Sequence, residues 1–105
     1  MYNVVNLANL TLNLTNMREA MQVIETQPTP NPNALKFIIA GTFPPGSHAF
    51  MSHKEAENDA LAKAIFELGE VTSVFYMNNF LTVSKTLAGD WNKLREGVIA
   101  ILSQM

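Results

Sequence analysis

Val71-Thr72-Ser73-Val74-Phe75-Tyr76-Met77-Asn78-Asn79-Phe80-Leu81-Thr82-Val83-Ser84-Lys85 joins two runs of β-branched and aromatic residues through an Asn-Asn pair. Such side chains suit a pleated, half-buried surface, and asparagine takes positive φ at modest cost, so the stretch predicts a β-hairpin. An antiparallel ladder therefore belongs to whatever sheet the domain builds. Downstream, Ala88-Gly89 is turn chemistry and Asp90 is placed to cap a last helix, whose apolar stripe is Trp91, Leu94, Val98, Ile101, Leu102 and Met105. Gly97 falls inside that helix, at a cost of about 1 kcal/mol relative to alanine, which points to a close helix approach or a tolerated defect.

Upstream of the hairpin, Ser52-His53-Lys54-Glu55 fits a capping box, in which the hydroxyl takes an orphan amide and the carboxylate reaches back to the cap. A helix is predicted from there, with Ala56, Ala60, Leu61, Ala64, Ile65 and Leu68 at helical spacing. Glu55, Glu57 and Asp59 complement the positive end of its dipole, and Gly69 supplies a left-handed stop. Earlier still, residues 21–26 alternate as a short strand, and residues 34–40 form a second, with Leu35, Phe37 and Ile39 on one face and Lys36 on the other. Between them, Gln27-Pro28-Thr29-Pro30-Asn31-Pro32-Asn33 is a stiff loop, because each proline lacks an amide donor and holds its predecessor extended. Residues 41–46, with Pro44 and Pro45, read as turn.

The order is β-β-α-β-β-α, which predicts an α+β two-layer sandwich: a four-stranded mixed or antiparallel sheet with both helices on one face. The other face or a sheet edge is then left as a docking surface. Residues 1–19 stand apart. Leu10, Leu12 and Leu14 alternate as a strand would, while Leu7, Leu10, Leu14, Met17 and Met21 keep helical spacing. The expected organisation is an N-terminal arm over 1–19, either an added strand or a disordered extension, and a domain over 20–105.

At 105 residues, with 48% apolar and 15% charged residues, the chain has material for one core and no compositional case for disorder. Its seven basic residues are scattered and the net charge is -2, which argues against phosphate-backbone binding. No apolar run approaches the roughly 20 residues of a membrane helix. No basic residue precedes Arg18, so neither a secretory nor an Arg-rich transit signal is legible, and a cytoplasmic location is expected. The absence of cysteine excludes disulfides and thiolate ligands within these residues and fits a reducing compartment.

The run from Glu25 to Phe37, containing Thr29-Pro30-Asn31-Pro32-Asn33, resembles the opening signature of the Nfu/NifU N-terminal domain family. Leu61-Ala62-Lys63-Ala64-Ile65-Phe66, Gly69 to Phe75, Asn79 to Lys85 and Asp90-Trp91 resemble its later segments, in order, so the likeness runs from about Met21 to the C-terminus. The resemblance implies a role in maturing iron-sulfur proteins, in which a separate C-terminal domain holds the cluster through a Cys-x-x-Cys pair. These residues contain no cysteine, whereas iron-sulfur clusters are held chiefly by thiolates. The implied part is a stand-alone recognition module that engages a cluster donor, a recipient apo-protein or another assembly factor, with no cofactor of its own.

The leading candidate site is the Pro-Asn loop with its flanks: Thr26, Pro28, Thr29, Pro30, Asn31, Pro32, Asn33 and Lys36. Stiffness lowers the entropy lost on binding and the amides offer hydrogen bonds, although such a turn-rich loop serves chain geometry first, as a plain connector. Asn78, Asn79 and Phe80 form a second candidate, a hairpin tip whose role turns on whether Phe80 is exposed. His48 and His53, with Glu55, Glu57 and Asp59, fall short of a metal site, since a helix start already accounts for the acids. Trp91 reads as a core anchor and Met51 and Met77 as gap fillers. No nucleophile elbow, Walker or dinucleotide fingerprint is present, so no catalytic residue is assigned. The alternatives to a non-catalytic binding module are a homo-oligomeric interaction or regulatory protein, joined through residues 1–19, and a small enzyme whose site assembles in space.

Overall fold

The structure, a computed structural model, describes residues 20–105, and the expectations for an arm at 1–19 lie outside the described residues. Five strands and two helices follow in the order β1 (Val23–Pro28), β2 (Ala34–Ile39), β3 (His48–Phe50), α1 (Ala60–Phe66), β4 (Val71–Met77), β5 (Phe80–Lys85) and α2 (Trp91–Ser103). The sheet runs β1-β2-β5-β4-β3, with every neighbouring pair antiparallel.

The α+β class stands, but the four-strand count is corrected to five. Gly46, at φ 94°, turns the chain after Pro44-Pro45, and His48, Ala49 and Phe50 then pair with Tyr76, Phe75 and Val74. Three residues are too few for alternation to show in a sequence. The expected helix start is also corrected. Ser52 Oγ does accept from the Glu55 amide, and Glu55 Oε1 from the Met51 amide, yet these bonds close a turn that ends at Asn58. Asp59 is the real cap: its backbone is extended, its Oδ1 accepts from the Ala62 amide at 2.9 Å, and α1 begins at Ala60.

Strand alternation divides the sheet into two faces. Phe37 and Ile39 of β2, Val74 and Tyr76 of β4 and Leu81 and Val83 of β5 are buried beneath the helices, with Leu61, Ile65 and Phe66 of α1 and Leu94, Val98 and Leu102 of α2 above them. Each fully buried side chain of this size removes about 1.5–3 kcal/mol of apolar exposure from water, which makes this layer the main source of stability. In β1 a bulge between Val23 and Glu25 keeps Val23 against the core and turns Ile24 outward, 63% exposed.

The helix ends obey their signals. Gly69, at φ 89°, closes α1, and Glu70 follows at φ 59° before β4 begins. Asp90 Oδ1 accepts from the Asn92 amide at 2.9 Å and caps α2. Gly97 permits a close approach: a Cβ built there meets Leu68 Cδ2 at 2.8 Å.

Candidate functional site

The Pro-Asn loop joins β1 to β2 and is held mainly by its own polar atoms. Thr29 Oγ1 donates toward the carbonyls of Asn31 and Ala34 and accepts from the Asn31 amide, while Asn31 Oδ1 accepts from the Asn33 amide at 2.9 Å. Three contacts fasten it to the rest of the domain. Lys85 N donates to Asn33 O at 2.8 Å, Lys85 Nζ to Asn33 Oδ1 at 3.1 Å, and Trp91 Nε1 to Pro32 O at 3.0 Å. The ammonium of Lys85 also lies 5.7 Å from the centre of the Trp91 ring. The threonine and asparagine oxygens are thus engaged in geometry, and what the loop offers a partner is a fixed outline of exposed Pro28, Pro30, Asn31 and Pro32. Thr26, paired with Phe37, lies on the helix-covered face.

Lys36, Asn78, Asn79 and Phe80 group elsewhere. Ala34 pairs with Ser84 and Ile38 with Phe80, so the hairpin tip lies at the end of the sheet away from the Pro-Asn loop. On the face that carries no helix among the described residues, one cross-strand row runs Gln27, Lys36, Thr82, Phe75, Ala49, and the next runs Glu25, Ile38, Phe80, Met77. Lys36 Nζ stands 4.4 Å from the Phe80 ring centre and the Phe75 and Phe80 rings are 6.0 Å apart, an aromatic and aliphatic patch around one ammonium. Phe80, Phe75, Met77 and Ile38 are half-buried.

A third polar cluster fixes the cap of α1. Tyr76 Oη donates to Asp59 Oδ2 at 2.5 Å while Asp59 Oδ1 holds the helix amide. Burial pushes the Tyr76 phenol far above its usual range, and the hydrogen bond to the Asp59 carboxylate and that carboxylate's charge push the same way. His48 stacks on the Tyr76 ring with centres 4.5 Å apart, and its Nε2 is buried without a hydrogen-bond partner among the described residues. Neither sequence pattern nor spacing advertised this cluster, since Asp59 and Tyr76 are 17 residues apart.

His53, Lys54, Glu57 and Lys63 line an open cleft of about 360 Å³, with His53 Nε2 4.0 Å from Glu67 Oε2 and both side chains largely exposed. Two lysines there work against a bound cation, and among the described residues no three His, Asp or Glu side chains converge as metal ligands. Trp91 packs against the core as expected but also clamps the loop, a double role that only the folded chain reveals. Met51, expected as a gap filler, is instead 67% exposed in the turn just beyond β3.

Among the described residues, a five-stranded antiparallel sheet with two helices on one face and none on the other, closed at one end by a clamped Pro-Asn loop, defines a small open-faced α+β sandwich. The model of the family "Scaffold protein Nfu/NifU N terminal" matches residues 24–105, and the chain belongs to that family. It is 34% identical over 84 residues to NifU-like protein C1709.19c of Schizosaccharomyces pombe, covering 77% of this chain and 32% of the relative. It is 38% identical over 80 residues to "NifU-like protein 5, mitochondrial" of Arabidopsis thaliana, covering 75% of this chain and 29% of the relative. The chain thus spans about a third or less of these relatives. Among solved structures, the solution structure of a NifU-like protein from Saccharomyces cerevisiae superposes with a TM-score of 0.69 at 28% identity, over 80% of this chain and 78% of that one. The crystal structure of protein SAV1430 from Staphylococcus aureus shares the fold, with a TM-score of 0.65 at 22% identity over 76% of this chain and 96% of that one. Among the described residues no helix is long and apolar enough to cross a membrane.

Proposed function

We propose that this domain, residues 20–105, is a non-catalytic protein-binding module of iron-sulfur cluster assembly or delivery, engaging an assembly factor or a recipient apo-protein without ligating the cluster itself. The observation that carries the reading is the open sheet face, an aromatic and aliphatic surface of a family domain in a chain whose 105 residues include no cysteine. Cluster chemistry needs thiolates and binding needs shape, and only the second is supplied here. The candidate contacts fall into two groups: Lys36, Asn78, Asn79 and Phe80 on and beside the open face, and the clamped outline of Pro28, Thr29, Pro30, Asn31, Pro32 and Asn33 at the opposite end. A preformed loop loses little entropy on docking, which suits it to recognition.

The test is a titration of isotope-labelled protein with apo and cluster-loaded assembly factors, followed by amide shifts. Localised shifts with at least one of them are expected, and silence across the set sinks the reading. We place the protein in the reducing cytoplasm. A fluorescent fusion found instead in mitochondria, the compartment named for the Arabidopsis thaliana relative and for NFU1 of Drosophila ananassae, reassigns it.

A further inference from the structure

We propose that the open sheet face recognises a protein segment that is acidic and apolar at once, setting a carboxylate against Lys36 and aliphatic or aromatic side chains against Ile38, Phe75, Met77 and Phe80. This deepens the function proposed above and rests on it. Lys36 is the cation of the two cross-strand rows, and its ammonium leans on the Phe80 ring at 4.4 Å rather than on an acid. Among the described residues no Lys or Arg nitrogen lies within 4.0 Å of a carboxylate, the one such contact being His53 Nε2 with Glu67 Oε2, far along the chain from Lys36. Glu25, the acid on the same face, is exposed on edge strand β1 and accepts from Gln27 Nε2 at 2.5 Å.

Covering this face has electrostatic consequences that select the occupant. A purely apolar partner strips water from an ammonium and leaves it uncompensated, while a basic partner adds repulsion in a low dielectric. A carboxylate satisfies the ammonium as the surrounding rings are buried, so it alone turns the cover into a gain. A second copy fits poorly. Lys36 lies on β2, next to the centre of the sheet, so face-to-face stacking about a twofold axis that crosses the strands at its level brings two ammonium groups together. The face is also small: four strand spacings of about 4.8 Å by some six residues of about 3.3 Å project roughly 400 Å², half of the ~800 Å² that each partner of a stable pair contributes. A single segment of a partner matches that footprint.

The experiment uses three synthetic peptides that differ at one position, a glutamate, glutamine or lysine flanked by leucine and phenylalanine, titrated into the labelled full chain. Expected are shifts at the amides of Lys36, Ile38, Phe75, Met77, Phe80 and Thr82, with the glutamate peptide about fivefold tighter than the glutamine one and the lysine peptide weakest. Lys36→Glu should invert that order while leaving the amide of buried Val83 where it was, which establishes that the variant is folded. No binding, equal binding of all three peptides, or shifts confined to residues 23–28 or to the Pro-Asn loop overturns the proposal. The two readings fail separately: an assembly factor that binds away from this face overturns this inference alone, whereas peptide discrimination with every factor silent overturns the iron-sulfur role alone.

Discussion

At the scale of single residues, the strongest consequences follow from the Tyr76 hydroxyl. It donates to Asp59 Oδ2, and Asp59 caps α1, so one phenol ties β4 to the start of the helix. Tyr76→Phe leaves the ring in the core and removes only the donor, and a loss of about 1.5 kcal/mol is expected in urea unfolding, as for hydrogen bonds to charged groups. Asp59→Ala should lose more, because the cap amide is orphaned as well. The same bond gives a pH dependence of known sign. The folded chain keeps the Tyr76 proton above pH 10.0, where the unfolded chain releases it, so this contribution to stability is complete below that pH and falls as pH rises beyond it. The wild type should therefore lose stability more steeply in alkali than Tyr76→Phe, with phenolate absorbance following unfolding. Trp91 gives a second residue-level outcome: Trp91→Phe deletes the bond to Pro32 O, and hydrogen exchange at the Asn33 amide should quicken while the core amides of β5 stay protected.

At the scale of elements, the legible parts were those whose signals are local. The hairpin announced itself through Asn78, which sits at φ 50°, the second strand through alternating Leu35, Phe37 and Ile39, and α2 through Asp90 and its stripe. The missed parts depend on neighbours. β3 exists because β4 offers an edge beside it, and the true start of α1 depends on Tyr76 reaching Asp59, whereas Ser52 and Glu55 carry the same capping pattern and close only a turn. The candidate residues were legible as types but not as groups, since strand register sets Lys36 diagonally beside Phe80 and the placement of α2 brings Trp91 to Pro32. Packing of α2 against the turn that follows α1 supplies the element-level prediction. Gly97→Ala gains about 1 kcal/mol of helix propensity but drives a methyl against Leu68, whose flexible tip is partly exposed. The single change should be close to neutral in thermal melts. In a Leu68→Ala background, where the obstacle is gone, the same substitution should stabilise by about 0.5–1 kcal/mol.

At the scale of the whole molecule, a chain without thiols makes a clean prediction about metal. After anaerobic reconstitution with iron and sulfide, these 105 residues expressed alone should leave a desalting column without the visible absorption of a cluster, and retention of stoichiometric iron contradicts the proposed role. The strand order β1-β2-β5-β4-β3 bears on something else, the route by which the molecule forms. Two ladders close over short stretches of chain, β1 on β2 and β4 on β5, but the β2–β5 ladder between them pairs Ala34 with Ser84 and must enclose β3, α1 and β4 first. Joining segments that far apart carries the largest loop-closure entropy in the sheet, so the two hairpins are the early arrivals and their zipping along β2 and β5 sets the refolding rate. Destabilising that seam should slow refolding, whereas damage to β3, added at the margin, should hasten unfolding instead.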